Sequence, residues 1–252
     1  MTEQNKGKIA LVTGGNRGIG LETVNQLAQQ GMHVLLGARN EAKGLEAAKK
    51  LKSEGLDVEF ILLDVDDEKT HTKAAKVIEE KFGKLDVLVN NAGILIDERT
   101  QRGQGGFVAA SETPLAVFRK TFETNFFNII ALTQTMIPLL KKSTAGRIVF
   151  LSSGLGSLTL HSDPKSPIYN YKAPAYDVSK TALNGYAVHL AYELKDTPIK
   201  VNVAHPGSVV TDMNAHGDLQ VSEGAKTSVA LATLPADGYN GKFIHLGKEL
   251  PW

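Results

Sequence analysis

Seven short apolar runs rich in β-branched residues alternate with six longer periodic segments. That alternation limits the fold more than any other feature of the chain. The runs cover 9–13, 33–36, 58–63, 85–89, 147–151, 200–203 and 242–246. Several are apolar throughout rather than at every second residue, as strands covered on both faces require. The segments 19–30, 41–53, 69–82, 115–140, 174–195 and 222–234 carry apolar residues at helical spacing. Repeated strand–helix–strand units with right-handed connections predict an α/β fold, a doubly wound sheet of about seven parallel strands with helices on both faces. No repeat or composition break divides the 252 residues, so residues 1–252 are expected to form a single domain.

Composition narrows the chemistry. The chain has 28 Lys plus Arg against 27 Asp plus Glu, a net charge of +1, which gives no electrostatic footprint for nucleic acid or an anionic membrane. It has no Cys, which excludes a disulfide scaffold, a Cys-ligated metal centre and thiol catalysis. No metal site is predicted. The first eight residues are polar and charged, without the apolar core of a signal peptide, and a cytoplasmic location is expected. The charge-free stretch 124–140 is interrupted by Asn125, Asn128, Gln134 and Pro138 and is short for a membrane span, so it reads as a buried helix.

The loop after the first run is Thr13-Gly14-Gly15-Asn16-Arg17-Gly18-Ile19-Gly20, and a helical segment follows it. Gly14 permits a sharp turn, Gly18 lets backbone approach a pyrophosphate, and Gly20 lets helix and strand pack closely. The helix N-terminus adds unpaired N–H groups and a positive dipole end. Strand, glycine loop and helix together point to a dinucleotide site of the Rossmann type. A Walker A loop is excluded, because no Lys-Ser or Lys-Thr follows the last Gly. An NAD site places Asp or Glu about 20 residues after the loop. Here Arg39 stands there, with Glu41 two residues further on and Arg17 inside the loop. Guanidinium groups match a 2′-phosphate in charge and geometry, so NADP(H) is the expected cofactor.

Tyr176 and Lys180, four residues apart at the start of a segment opened by Pro174, share one helical face. An ammonium beside a phenol favours the phenolate, which makes Tyr176 a candidate acid or base at a carbonyl/alcohol centre. Ser152 and Ser153 follow the fifth run, where a hydroxyl could bond a substrate oxygen. Asn90, Asn91, Ala92 and Gly93 follow the fourth and could line a cofactor cleft. Asn125 lies among Phe122, Phe126 and Ile129, so its amide needs partners. Pro206, Gly207, Val209 and Thr211 follow the sixth run and could bracket a nicotinamide. Two irregular stretches, 94–114 (with Gln101-Arg102-Gly103-Gln104-Gly105-Gly106) and 152–173, should stand at the carboxyl edge where open α/β sheets bind ligands. His161 is expected at the surface rather than on substrate.

The ordered set T-G-x-x-x-G-x-G, N-N-A-G, an Asn in the next long helix, S-S-x-x-G, Y-x-x-x-K and P-G-x-x-x-T resembles the short-chain dehydrogenase/reductase family. The match runs from Lys8 to about Thr211. Within the family it is most similar to NADPH-dependent carbonyl reductases, through TGGNRGIGLE (13–22), 35–39, DVLVNNAG (86–93), TNFF (124–127) and 241–252. The resemblance implies Tyr176 as proton donor and Lys180 as the group that lowers its pKa and holds the nicotinamide ribose. It implies Ser153, whose S-x-x-G ends on Gly156, as the group polarising the substrate carbonyl, and Asn125 as support for a proton-relaying water. Asp64 and Val65 would contact adenine, and Asn91 the adenine ribose; Asp64 at a strand end could equally cap a helix. The substrate is then a small apolar carbonyl compound, met by loops 94–114, 155–173 and 212–222, with Leu155, Leu158, Leu160, Tyr169 and Met213 as candidate lining. Ser153 and Tyr176 lie 23 positions apart, further than in compact members. An insertion there often blocks the family's tetramer interface, which favours a monomer or dimer.

Overall fold

A computed structural model describes residues 5–98 and 106–252. Residues Gln101, Arg102, Gly103, Gln104 and Gly105 of the loop expected beside the site lie outside the described residues. Among the described residues eight strands form one sheet: β1 (Ile9–Thr13), β2 (His33–Ala38), β3 (Val58–Leu62), β4 (Val87–Asn90), β5 (Arg147–Leu151), β6 (Lys200–Ala204), β7 (Phe243–His245) and β8 (Lys248–Glu249). Their order is β3-β2-β1-β4-β5-β6-β7-β8. The first seven pair in parallel, and β8 adds a short antiparallel edge on β7. The expected sheet is therefore present with one strand more, a pair of exposed charged residues that carries no apolar signal.

Helices cover both faces. On one, α3 (Glu68–Phe82), α5 (Asn128–Leu140) and α7 (Pro174–Glu193) pack Ile78, Leu132, Met136, Leu183 and Leu190 against Leu11, Leu88, Ile148 and Val203. On the other, α1 (Gly18–Gln29), α2 (Glu41–Ser53) and α8 (Val221–Ala232) pack Val24, Leu27, Leu51 and Val229 against Val12, Val34, Val89 and Val149. Successive strand residues alternate between these two cores: Leu11 faces one and Val12 the other. Both faces are thus apolar, which explains the unbroken apolar runs.

The segment 115–140, expected as one helix, is divided. Helix α4 (Leu115–Phe122) opens into a π-helical turn over Glu123–Phe127, where the Asn128 N–H donates to the Glu123 carbonyl, before α5 resumes. Wide turns of this kind are frequent at functional sites, and Asn125 stands in this one. The stretch 152–173, expected as irregular, holds a 3₁₀ turn (Gly154–Gly156) and the short helix α6 (Leu158–Ser162).

Candidate active site

The carboxyl ends of the parallel strands place Thr13, Asn90, Leu151 and Ala204 along one edge, and the site is built on them. At β1 the chain turns through Gly14 and Gly18, both in the left-handed region at φ 63° and 53°. A Cβ on Gly18 would meet only the Thr211 Cγ2, at 3.8 Å, so backbone is open on that side. A Cβ on Gly20 would collide with the Gly14 carbonyl, and this close approach fixes the helix against the turn. Among the described residues no side chain caps α1, which leaves its first N–H groups for an anion. A pyrophosphate fits this cradle.

Asn91 braces the same turn. Its Nδ2 donates to the Thr13 carbonyl at 2.7 Å, and the Asn91 and Ala92 N–H groups both donate to Thr13 Oγ1 at 2.9 Å. Thr13 is thus a structural keystone, a part that the glycine spacing of the motif it heads does not single out. Asn16 and Ile19 are half-buried, with Ile19 packed on the α1 core. Arg39 is exposed and has no ion pair among the described residues, whereas Arg17 pairs with Asp212 at 2.7 Å. Asp64 accepts from the Asp66 N–H at 3.1 Å and so closes a turn; the cap of α3 is Asp67. Val65 is buried in the core beside it. Gly207, at φ 88°, lets the chain turn after Pro206, and buried Val209 bridges to Leu219 ahead of Thr211.

Asn125, Ser153, Tyr176 and Lys180 converge. Ser153 Oγ accepts from the Leu155 N–H at 3.1 Å and faces the Tyr176 phenol, whose pKa it lowers. Neighbouring Ser152 is buried with its hydroxyl unpartnered among the described residues. Lys180 Nζ donates to the Leu151 carbonyl at 2.9 Å and lies 5.6 Å from the Tyr176 ring centroid. A Cβ on Gly93 would stand 3.3 Å from Asn125 Oδ1 and 3.5 Å from Lys180 Nζ, so these two groups meet around it. Asn125 is fully buried and holds Ile94 at both its N–H (2.8 Å) and its carbonyl (2.9 Å), with a third bond to Ser179 at 3.1 Å.

Burial pushes the Tyr176 phenol above its ordinary value; the Ser153 hydrogen bond pulls it back in part, and Asp177 pushes it further. Lys180 does not offset the burial, because i, i+4 spacing sets its ammonium over the ring rather than at the phenol oxygen. Burial also brings Lys180 down to about 8. His205 falls to about 4 through burial and the adjacent His245; its Nδ1 accepts from the Gly154 N–H at 2.9 Å and holds the turn after Ser153.

Around Tyr176 the apolar neighbours are Phe107, Ala173, Leu95, Leu155 and Tyr171. Of the expected lining only Leu155 is among them, and Leu158 is largely exposed. His161 is not a surface residue: it donates to the Leu155 carbonyl at 2.9 Å, accepts from Lys172 at 2.9 Å and lies 3.3 Å from Asp177. Its side chain packs against the start of α7 because α6 is pinned there, Thr159 N–H to the Trp252 carbonyl and Ser157 hydroxyl to that of Pro251. Buried Asp97 and Asp177 also carry no sequence signal.

The family model of short chain dehydrogenases matches residues 8–221. The chain belongs to the short-chain dehydrogenase family. It is accordingly an oxidoreductase acting between CH–OH and C=O groups. It is 32% identical to a (+)-neomenthol dehydrogenase of Capsicum annuum, over 94% of this chain and 95% of that protein. To carbonyl reductase [NADPH] 1 of Rattus norvegicus it is also 32% identical, over 97% and 98%. Among solved structures it is similar to a short chain dehydrogenase from Burkholderia cenocepacia J2315 in complex with NADP. That likeness has a TM-score of 0.77 and 28% identity, over 96% of this chain and 97% of that one. Among the described residues no helix is long and apolar enough to cross a membrane, and no His, Asp and Glu cluster could hold a metal ion.

Proposed function

We propose that the protein is an NADPH-dependent reductase of small apolar ketones or aldehydes, with Tyr176 as proton donor. The observation that carries this reading is the buried Tyr176 phenol facing Ser153, on a helix that also presents Lys180 beside Gly93. The family's cofactor supplies the hydride when bound; relatives and structural neighbours named for NADPH or NADP support that choice. Gly14, Gly18 and the open N-terminus of α1 receive the phosphates, and Arg17 with Arg39 reads the 2′-phosphate. Lys180 uses one donor on Leu151 and keeps others for ribose hydroxyls. Ser153 and the phenol O–H face the substrate oxygen together, so the charge growing there meets two donors while Tyr176 gives up its proton. A phenol held above its ordinary pKa stays protonated across neutral pH, as an acid awaiting a strongly basic alkoxide must. Phe107, Leu95, Leu155 and Tyr171 exclude water, and loops 94–114, 155–173 and 212–222 of a single 1–252 domain select the substrate.

The deciding experiment is Tyr176→Phe. NADPH consumption with a panel of aryl ketones, quinones and aldehydes should fall by about a thousandfold or more while NADPH fluorescence titration stays nearly unchanged. Turnover like that of the unmodified protein would remove Tyr176 from the mechanism. A protein that binds NADPH but consumes none with any panel member would be a cofactor sensor instead, and faster NADP-linked alcohol oxidation would make it a dehydrogenase.

A further inference from the structure

Helix α7, which carries Tyr176 and Lys180, begins without a cap of its own. Ala173 at its N-cap has no polar side chain, and Pro174 has no N–H. The next two N–H groups, those of Ala175 and Tyr176, are buried and require acceptors. Both find them on one side chain 78 and 79 residues away: Asp97 Oδ1 accepts from Ala175 at 2.8 Å and Oδ2 from Tyr176 at 3.0 Å. Asp97 is itself buried, 6% exposed. It stands three residues after Ile94, whose N–H and carbonyl are both held by Asn125. The segment 94–97 is therefore a strap between the π-turn and the first turn of α7.

We propose that Asp97 is a positioning residue for the reaction, its carboxylate clamped across the N–H groups of Ala175 and Tyr176 so that the phenol meets Ser153. This rests on the reading of Tyr176 as proton donor. Two parallel donors call for two acceptor atoms, which a carboxylate supplies and an amide does not. A negative group at a helix N-terminus is also favoured by the dipole. The neighbouring carboxylate, Asp177, serves elsewhere, because its Oδ2 accepts from the Ala173 N–H at 3.0 Å, outside the two groups that Asp97 holds. A shift of about 1 Å at the phenol is enough to cost a hundredfold in rate.

The test is Asp97→Asn, in which one buried N–H keeps an oxygen and the other faces an amide donor. On the panel substrate turned over best, kcat should fall about tenfold or more while the NADPH Kd stays within about twofold. In the oxidative direction the pH limb of Tyr176 should move upward, because the Ser153 bond that lowers the phenol is weakened. The other polar groups facing the phenol or its partners, Lys180, Asp177, Tyr171, His161 and Lys172, are all retained; because the Asp97 charge also raises Asp177, the limb is compared in an Asp177→Asn background as well. Ser143→Ala, which removes a buried bond to Asp86 at the opposite edge of the sheet, controls for lost stability and should leave both kcat and the limb in place. If Asp97→Asn does not fold, Asp97→Ser, with a single shorter acceptor, is read by the same outcomes. A folded variant whose kcat stays within about twofold, or which loses rate with an unmoved limb, overturns the assignment. Tyr176→Phe run alongside separates the two ideas. If it keeps turnover, the reading of Tyr176 fails; if it loses turnover while Asp97→Asn keeps it, only the role of Asp97 fails.

Discussion

The two edges of the sheet hold their buried polar groups in opposite ways. At the amino edge, Asp86 accepts from the Ile9 N–H, the Ser143 hydroxyl and the Lys84 ammonium at 2.9, 2.6 and 2.9 Å. Nearby Arg147 directs its guanidinium at the carbonyls of Leu234, Gly146 and Pro198. Each buried charge there has a partner of complementary kind. At the carboxyl edge, the phenol of Tyr176, the ammonium of Lys180 and the carboxyl of Asp177 are buried with fewer partners, and Asp177 Oδ1 and Ser152 Oγ have none among the described residues. Burial moves all three titrations toward the neutral form. Asp86 and Arg147 at one edge therefore carry more partners than Tyr176, Lys180 and Asp177 at the other, and the second set includes the proton donor proposed above.

The sharpest way to break that contrast is to remove one group from each edge. If Ser153 donates to the substrate oxygen as proposed, Ser153→Ala should lower kcat about 10²–10³-fold, roughly 3–4 kcal/mol on the barrier. Apart from the phenol, the Ser153 hydroxyl bonds only the Leu155 N–H among the described residues, so the melting temperature should hardly move. Steady-state kinetics beside a thermal melt checks both. Asp86→Ala strips three donors of their acceptor and should cost about 3 kcal/mol of stability in a urea titration. While folded, that variant should keep its kcat. A large rate loss from Asp86→Ala, or a large stability loss from Ser153→Ala, would erase the distinction between the edges.

A smaller effect tests the protonation side. Burial and the neighbouring Asp97 carboxylate push Asp177 up to about 8, far above the range of an unfolded carboxyl. The folded protein therefore binds a proton that the unfolded chain has released between about pH 4 and pH 8, and this group's contribution to stability declines as pH rises through that window. His205 has the opposite sign, adding stability as pH rises from about 4 toward 6.5, and Lys180 does so above about 8. The difference between the unmodified protein and Asp177→Asn isolates the Asp177 contribution. The variant should gain about 3–4 kcal/mol on the unmodified protein between pH 5 and pH 8. A constant difference across the window would place the carboxylate, charged, in the native state.

Legibility in the sequence follows range along the chain. Strand β1, the turn at Gly14 and Gly18, and α1 are readable because apolar run, glycines and helical spacing sit side by side. Tyr176 and Lys180 are readable because a helix fixes what lies four residues away. The π-turn at Asn125 is not, since the apolar spacing of 115–140 continues through it and the wide turn is set by contacts with Ile94 and Ser179. Asp97 lies 78 residues from the N–H it caps, and no local pattern encodes that distance. His161 reads as a surface residue because its partners, Asp177 and Lys172, come together only once the insertion folds back on α7. The direction of the Tyr176 shift escapes the sequence for a related reason: spacing gives proximity to an ammonium, whereas burial, a property of the whole fold, outweighs it.

The weakest expected effect concerns Arg17, which together with Arg39 is proposed above to read the 2′-phosphate. Arg17 and Asp212 meet at 2.7 Å, but both are mostly exposed, at 70% and 79%. Exposed pairs of this kind contribute about 0–1 kcal/mol and are screened by salt, so Asp212→Asn should leave the melting temperature within experimental scatter. Its effect on NADPH should nonetheless be measurable. With the carboxylate gone, Arg17 loses its ion pair and a negative group is removed from the approach of an anion, so a 2′-phosphate read by Arg17 as proposed would be held more tightly. The NADPH Kd at low salt should tighten about two- to fivefold, with little change for NADH, and the gain should fade near 1 M salt, where the Debye length is about 3 Å. Equal tightening for both cofactors would mean that Asp212 acts on the shared pyrophosphate. Arg39 would then carry the 2′-phosphate preference alone.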